Sequence, residues 1–144
     1  MKNVVSVISK FLLALLGIGL ASCGRVEYGC PYADFEARGV VSDEEGNKIQ
    51  GIRVVVSGKY APNAGIPQTD TLWTDHNGEY SSRYEEFAYM QSVSLEFEDV
   101  DGPENGGEFQ KVEVEVPVFQ VKEGDGNWYQ GSYGAGADVT MIKK

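Results

Sequence analysis

The sequence predicts an all-β protein, a single antiparallel β-sandwich of about seven strands behind a short apolar leader. Three observations carry this. Short alternating runs recur along the chain, as in Ser92–Asp99, where Val93, Leu95 and Phe97 share one face. Gly, Pro and Asn turn formers separate the runs. After the leader, no stretch repeats its apolar residues with a helical period.

Taken in order, the opening strand starts at Tyr32, with Tyr32 and Phe35 on opposite faces if the strand is regular. It runs into Gly39–Val56, around which the chain is organised. Two β-branched runs there flank the polar turn Ser42–Lys48, with Gly46 placed for a positive φ. The stretch reads as a hairpin or as two neighbouring sandwich strands. Ile52–Val56 is the second strand, and Pro62, Gly65 and Pro67 make Gly58–Gln68 an irregular loop. Thr69–Thr74 is the third strand and Glu79–Tyr84, beyond the Asn77-Gly78 turn, the fourth. Ser92–Asp99 follows. In the next run Val112, Val114, Val116 and Val118 face inward while Glu113 and Glu115 face water. Ala137–Ile142 closes the domain.

Residues 1–22 have the parts of a secretory signal. Lys2 and Lys10 supply positive charge, Phe11–Leu20 an apolar core, and Leu20-Ala21-Ser22-Cys23 a small-residue exit. That core is short for a membrane-spanning helix, which needs roughly 20 apolar residues. The four exit residues also match the bacterial lipobox, which implies cleavage before Cys23 and lipidation of its thiol. Residues 23–31 then form a lipidated tether and 32–144 the sandwich. Gly24 stands where an aspartate tends to mark inner-membrane retention in lipoproteins of this type. The expected address is therefore the outer membrane, lipid-anchored, on the periplasmic face, with the cell surface as the alternative. A Cys23–Cys30 disulfide would close a very short loop and staple almost nothing, so Cys30 is left as a lone thiol, of a kind more often buried as a small hydrophobe. Loss of Lys2 and Lys10 with the leader takes the formal charge from −10 to −12. Such a chain lacks the cationic surface that nucleic acid or anionic headgroups require.

The run from Gly39 to Val56, followed by Thr74-Asp75-His76-Asn77-Gly78-Glu79-Tyr80, resembles the carboxypeptidase-regulatory-like, or transthyretin-like, sandwich modules. The resemblance implies an Ig-like/transthyretin-like β-sandwich. Tyr28-Gly29-Cys30-Pro31-Tyr32-Ala33-Asp34-Phe35, shortly after Cys23, resembles a narrower family, the radical-SAM-associated lipoproteins of Bacteroides type. The run Asp99-Val100-Asp101-Gly102 through Asn105-Gly106-Gly107-Glu108-Phe109 is similar to that family as well. Its name implies gene proximity to a radical SAM protein, not an activity.

Two stretches are candidate sites. Asp99, Asp101, Asn105 and Glu108 lie in a turn-rich acidic segment whose oxygens could hold calcium, although the spacing departs from an EF-hand. The alternative is a solvated strand connection. Trp128, Tyr129 and Tyr133 lie in a glycine-rich stretch that could stack on a glycan or contact a protein partner, or could cover an end of the sandwich.

Catalysis finds little support. His76 is the only histidine and sits within a turn. Neither a serine triad nor a zinc cluster is nominated. The transthyretin-like fold includes hydroxyisourate hydrolases, but Tyr129-Gln130-Gly131-Ser132 lacks their arginine and their histidine set. The expected function is a non-catalytic, lipid-anchored envelope scaffold that docks a protein partner, its strand edges available for β-augmentation. The alternative is a glycan- or calcium-binding module, and the third reading is a substrate or accessory of a radical SAM enzyme.

Overall fold

The computed structural model describes residues 29–60, 68–86 and 90–144. The expected leader, Cys23 as the expected lipidation site, most of the expected tether and much of the Gly58–Gln68 loop lie outside the described residues. The described chain forms β1 (Tyr32–Asp43), β2 (Ile52–Tyr60), β3 (Thr69–Trp73), β4 (Glu79–Glu86), β5 (Met90–Asp99), β6 (Val112–Pro117), β7 (Phe119–Glu123), β8 (Tyr129–Ala135) and β9 (Val139–Met141). One sheet has the order β4-β1-β8-β7, with β9 also paired to β1; the other has the order β3-β2-β5-β6. The protein is an all-β sandwich.

The core is the inward row of each strand. Ala33, Phe35, Ala37, Val41 and Asp43 alternate along β1, and Ile52, Val54 and Val56 along β2. On β5, Val93, Leu95 and Phe97 are fully buried, as their alternation predicts, and Leu95 and Phe97 pair with Val56 and Val54. Burying each such side chain stabilises the fold by about 1.5–3 kcal/mol. The β6 valines face the same core but stay half-buried because β6 is an edge strand, while Glu113 and Glu115 are exposed.

Several expectations are refined. β1 and β2 belong to different sheets, so Gly39–Val56 is two sandwich strands joined by a turn rather than a hairpin. Gly46 does take a positive φ of 85° in that turn. The sheets are not wholly antiparallel, because β1 pairs in parallel with both β8 and β9. β8 and β9 follow one line along β1, Ala37 opposite Ala135 and Val41 opposite Val139. The line breaks at residues 136–138, where the Val40 amide bonds the Asp138 carboxylate instead (3.0 Å). The two strands absent from the expected order are β7 and β8, and β8 holds the stretch expected to be an aromatic loop.

The register defines two ends. At one, Tyr32 lies beside Tyr129, Ala33 pairs with Glu86, and Tyr60 pairs with Met90. At the other lie the Asp43–Asn47 turn, the acidic segment 99–109 and the last residues, with Phe109 bridged to Lys143.

Candidate functional site

The acidic segment is a loop closed on itself. Asp99 accepts the Asp101 amide on one carboxylate oxygen (3.2 Å) and the Phe109 amide on the other (2.9 Å). Phe109 is thereby drawn into the core, where it is buried. Asp101 accepts from the Asn105 side chain, and both lie against Gly51, where a Cβ would come within 3.0 Å of the Asp101 carboxylate. Glu108 pairs instead with Lys144 (2.7 Å), and that pairing raises the Lys144 pKa. Asn105 adopts φ 50°, a left-handed conformation Asn tolerates well. The four residues predicted as calcium ligands thus share a loop, but Asp99 spends both oxygens on backbone amides and Glu108 is turned to the C-terminus. Among the described residues no group of three or more His, Cys, Asp or Glu is arranged to hold a metal ion.

The aromatic stretch sits at the opposite end. Trp128 is 43% exposed, and a Cβ on Gly29 would lie 2.7 Å from its indole ring. Its carbonyl accepts the Tyr32 amide (2.9 Å). Tyr129 opens β8, packs on Tyr32 with ring centroids 5.5 Å apart, and donates its hydroxyl to Asp34 (2.9 Å). That hydrogen bond, with burial, raises its pKa. Tyr133 lies further along β8, half-buried against the core, so it does not join the other two rings. Trp128, Tyr129 and Tyr32 thus share one end of the sandwich, Tyr129 and Tyr32 in ring contact and the Trp128 indole against Gly29. Cys30, beside it, is exposed rather than buried, because the chain has not yet entered β1.

In the turn motif from Thr74 to Tyr80, Thr74, Asp75, Gly78 and Tyr80 all have structural roles. The buried Thr74 hydroxyl donates to the Ile49 carbonyl (2.7 Å) and accepts the Ile52 amide (3.0 Å). Asp75 accepts the amides of Asn77 and Glu79 on one oxygen, which holds its carboxyl below the ordinary range. Gly78 has φ 69°, and a Cβ there would strike the Val41 carbonyl at 2.4 Å. Tyr80 is buried against Phe97, edge to face at 5.4 Å, and its hydroxyl reaches Ala137. His76 stands exposed in this turn.

Sequence reasoning missed the feature that stands out on the surface. β7 is the open edge of its sheet and all five of its residues are exposed, including Phe119 (59%) and Val121 (65%). Both side chains lie over Gly134, whose missing side chain leaves them room at 3.1–3.3 Å from a would-be Cβ. Beside Phe119 runs an open groove of about 640 Å³ over the outer face of β1, lined by Glu36, Arg38, Tyr80, Ala137 and Asp138 among others. The alternation of Phe119 and Val121 was the available signal. It points outward rather than to the core.

No family model matches the chain, and no curated protein matches it. Solved structures with a similar fold include dioxygenases. They include catechol 1,2-dioxygenase from an Acinetobacter species, inhibited by bound mercury (TM-score 0.53, 13% identity, 83% of this chain and 55% of that one). Acinetobacter radioresistens catechol 1,2-dioxygenase follows (TM-score 0.52, 14% identity, 77% and 52%). Hydroxyquinol 1,2-dioxygenase from Pseudomonas putida is similar too (TM-score 0.50, 8% identity, 85% and 65%). The chain spans about half the length of the Acinetobacter enzymes it matches. At these identities the likeness is one of fold alone.

Proposed function

We propose that this chain is a lipid-anchored, non-catalytic lipoprotein of the bacterial outer membrane, held through Cys23, whose β7 edge docks a protein partner in the cell envelope. The observation that carries the docking is the exposed Phe119–Val121 pair on an open edge beside a groove. Exposed apolar surface on an unpaired strand is a liability that the β6 edge of this sandwich avoids. β6 carries Glu113, Glu115 and Pro117 on its exposed face, and Glu115 is ion-paired to Lys59. β7 keeps a bulge at Val121 and a lysine at 122, which discourage open-ended strand addition while leaving the apolar face uncovered. The non-catalytic reading rests on His76 being the single histidine and on the structural employment of Thr74, Asp75, Tyr80 and Asp99 described above. The lipid anchor rests on the lipobox match.

Two measurements test it. The intact mass of the native mature chain is expected to equal the unmodified sequence from Cys23 plus acyl chains. A mass starting at Met1, or lacking lipid, removes the anchor. An additional modification elsewhere would favour the radical SAM reading instead. Crosslinking the lipidated protein in its membrane is expected to yield one recurrent envelope protein, lost in the F119K/V121K double variant. Scattered neighbours, or a yield unchanged by the double variant, would contradict docking at β7.

A further inference from the structure

The ring cluster at the start of β1 has an unusual position. Gly29 lies three residues before β1, and the Trp128 indole packs directly on it. Gly29 is the sixth residue after Cys23 along the chain. At ~3.3–3.6 Å per residue, six fully extended steps keep Gly29 within about 22 Å of Cys23. Tyr32 and Trp128, 40% and 43% exposed, are therefore tethered close to whatever surface holds Cys23.

We propose that the Tyr32–Trp128–Tyr129 end rests in the headgroup layer of the bilayer, so that the ring cluster takes a zwitterionic lipid interface as its ligand. This rests on the lipid anchoring proposed above. Tryptophan and tyrosine favour that layer because their rings are apolar while the indole N–H and phenol O–H stay wet. The tether makes the contact intramolecular, so a weak intrinsic affinity suffices. Charge selects the lipid. Glu123 and Asp125 flank the cluster and Lys122 is the one cation on the adjoining β7, so anionic headgroups, which reward basic clusters, are disfavoured. The opposite end carries Asp99, Asp101, Glu104 and Glu108. β1 has 12 residues. At ~3.3 Å per residue that row of acids stands about 40 Å from the rings, away from the membrane. Phe119, opposite Gly134 on β8, lies part-way along the sheet and stays accessible from the side.

The test uses the lipidated mature chain carrying W73F, which leaves Trp128 as its sole tryptophan, in phosphatidylcholine vesicles with and without brominated acyl chains. Trp128 emission is expected to shift to the blue on vesicles and to lose most of its intensity to the brominated lipid. Its quenching by soluble acrylamide is expected to fall in parallel. If W73F does not fold, the wild-type chain reads the same loss in the Trp128 share of its emission, and W128F, reporting through Trp73, is expected to show none. A chain whose mass carries acyl groups but whose Trp128 stays acrylamide-accessible and unquenched by bromine overturns the docking and leaves the anchor standing. A mass without acyl groups overturns both. Emission that responds to a polysaccharide panel and ignores brominated lipid makes the cluster a glycan platform and overturns the proposal.

Discussion

The Tyr80 hydroxyl donates to the Ala137 carbonyl (2.8 Å) and accepts the Ala137 amide (3.1 Å), so one side chain satisfies both backbone groups where the β8–β9 line breaks. Gly39 makes room for it. This residue occupies the inward row of β1, and a Cβ there would lie 2.2 Å from the Ala137 carbonyl and 2.7 Å from the Tyr80 hydroxyl. Y80F keeps the ring on Phe97 but leaves both Ala137 groups without this partner, at a cost of about 1–3 kcal/mol. The Tyr80 pKa is raised, chiefly by burial, so the phenol stays neutral and this loss does not vary across the ordinary pH range. Urea unfolding of the purified protein reads it. G39A is expected to cost more than Y80F, because backbone must move.

Thr74 bridges the Ile49 carbonyl and the Ile52 amide from inside the fold. T74V preserves shape but orphans both groups, and is expected to lower stability by about 1–3 kcal/mol while T74S retains most of it. Equal unfolding midpoints for T74V and the wild type would show that the bridge is dispensable.

The aspartates that close two turns set an acid limit. Asp43 is held below its ordinary value of 3.8 mainly by the Asn47 side chain, then by the Asn47 and Glu45 amides and Lys143, against burial. Asp75 is held down mainly by the Glu79 amide. A folded pKa below the unfolded one means that the stabilisation is complete above about pH 4–5 and is lost as pH falls through the folded value. The urea midpoint is expected to drop on acidification below about pH 4, and the D43N/D75N variant to drop less steeply from a lower start. A parallel fall in both proteins would place the acid sensitivity elsewhere.

Asp99 closes the acidic loop through the Asp101 and Phe109 amides. D99A is expected to destabilise the protein by about 1–3 kcal/mol to the same extent in calcium and in excess chelator. A loss seen only with calcium present would make the loop a cation site.

What could be read from the residues was whatever local pattern dictates. Val93, Leu95 and Phe97 alternate and are buried in that order, and Gly46 and Gly78 turn where turn chemistry placed them. β8 was hidden because Gly131 and Gly134 punctuate it like a loop, and one of its two partners is the first strand, paired in parallel from the far end of the sequence. β7 was hidden because its apolar residues face solvent. Asp99 and Asp101 were visible as a cluster, but only the fold shows that Asp99 gives both its oxygens to backbone amides.

Site-specific photocrosslinking at Val121 tests the central claim most directly, with the same crosslinker at Trp73 as the reference. Trp73 is also exposed (54%) but lies on β3, an edge of the other sheet. In native membranes, the lipidated chain is expected to trap one recurrent envelope protein from position 121 and not from position 73. The same scatter of neighbours from both positions would contradict a docking edge at β7.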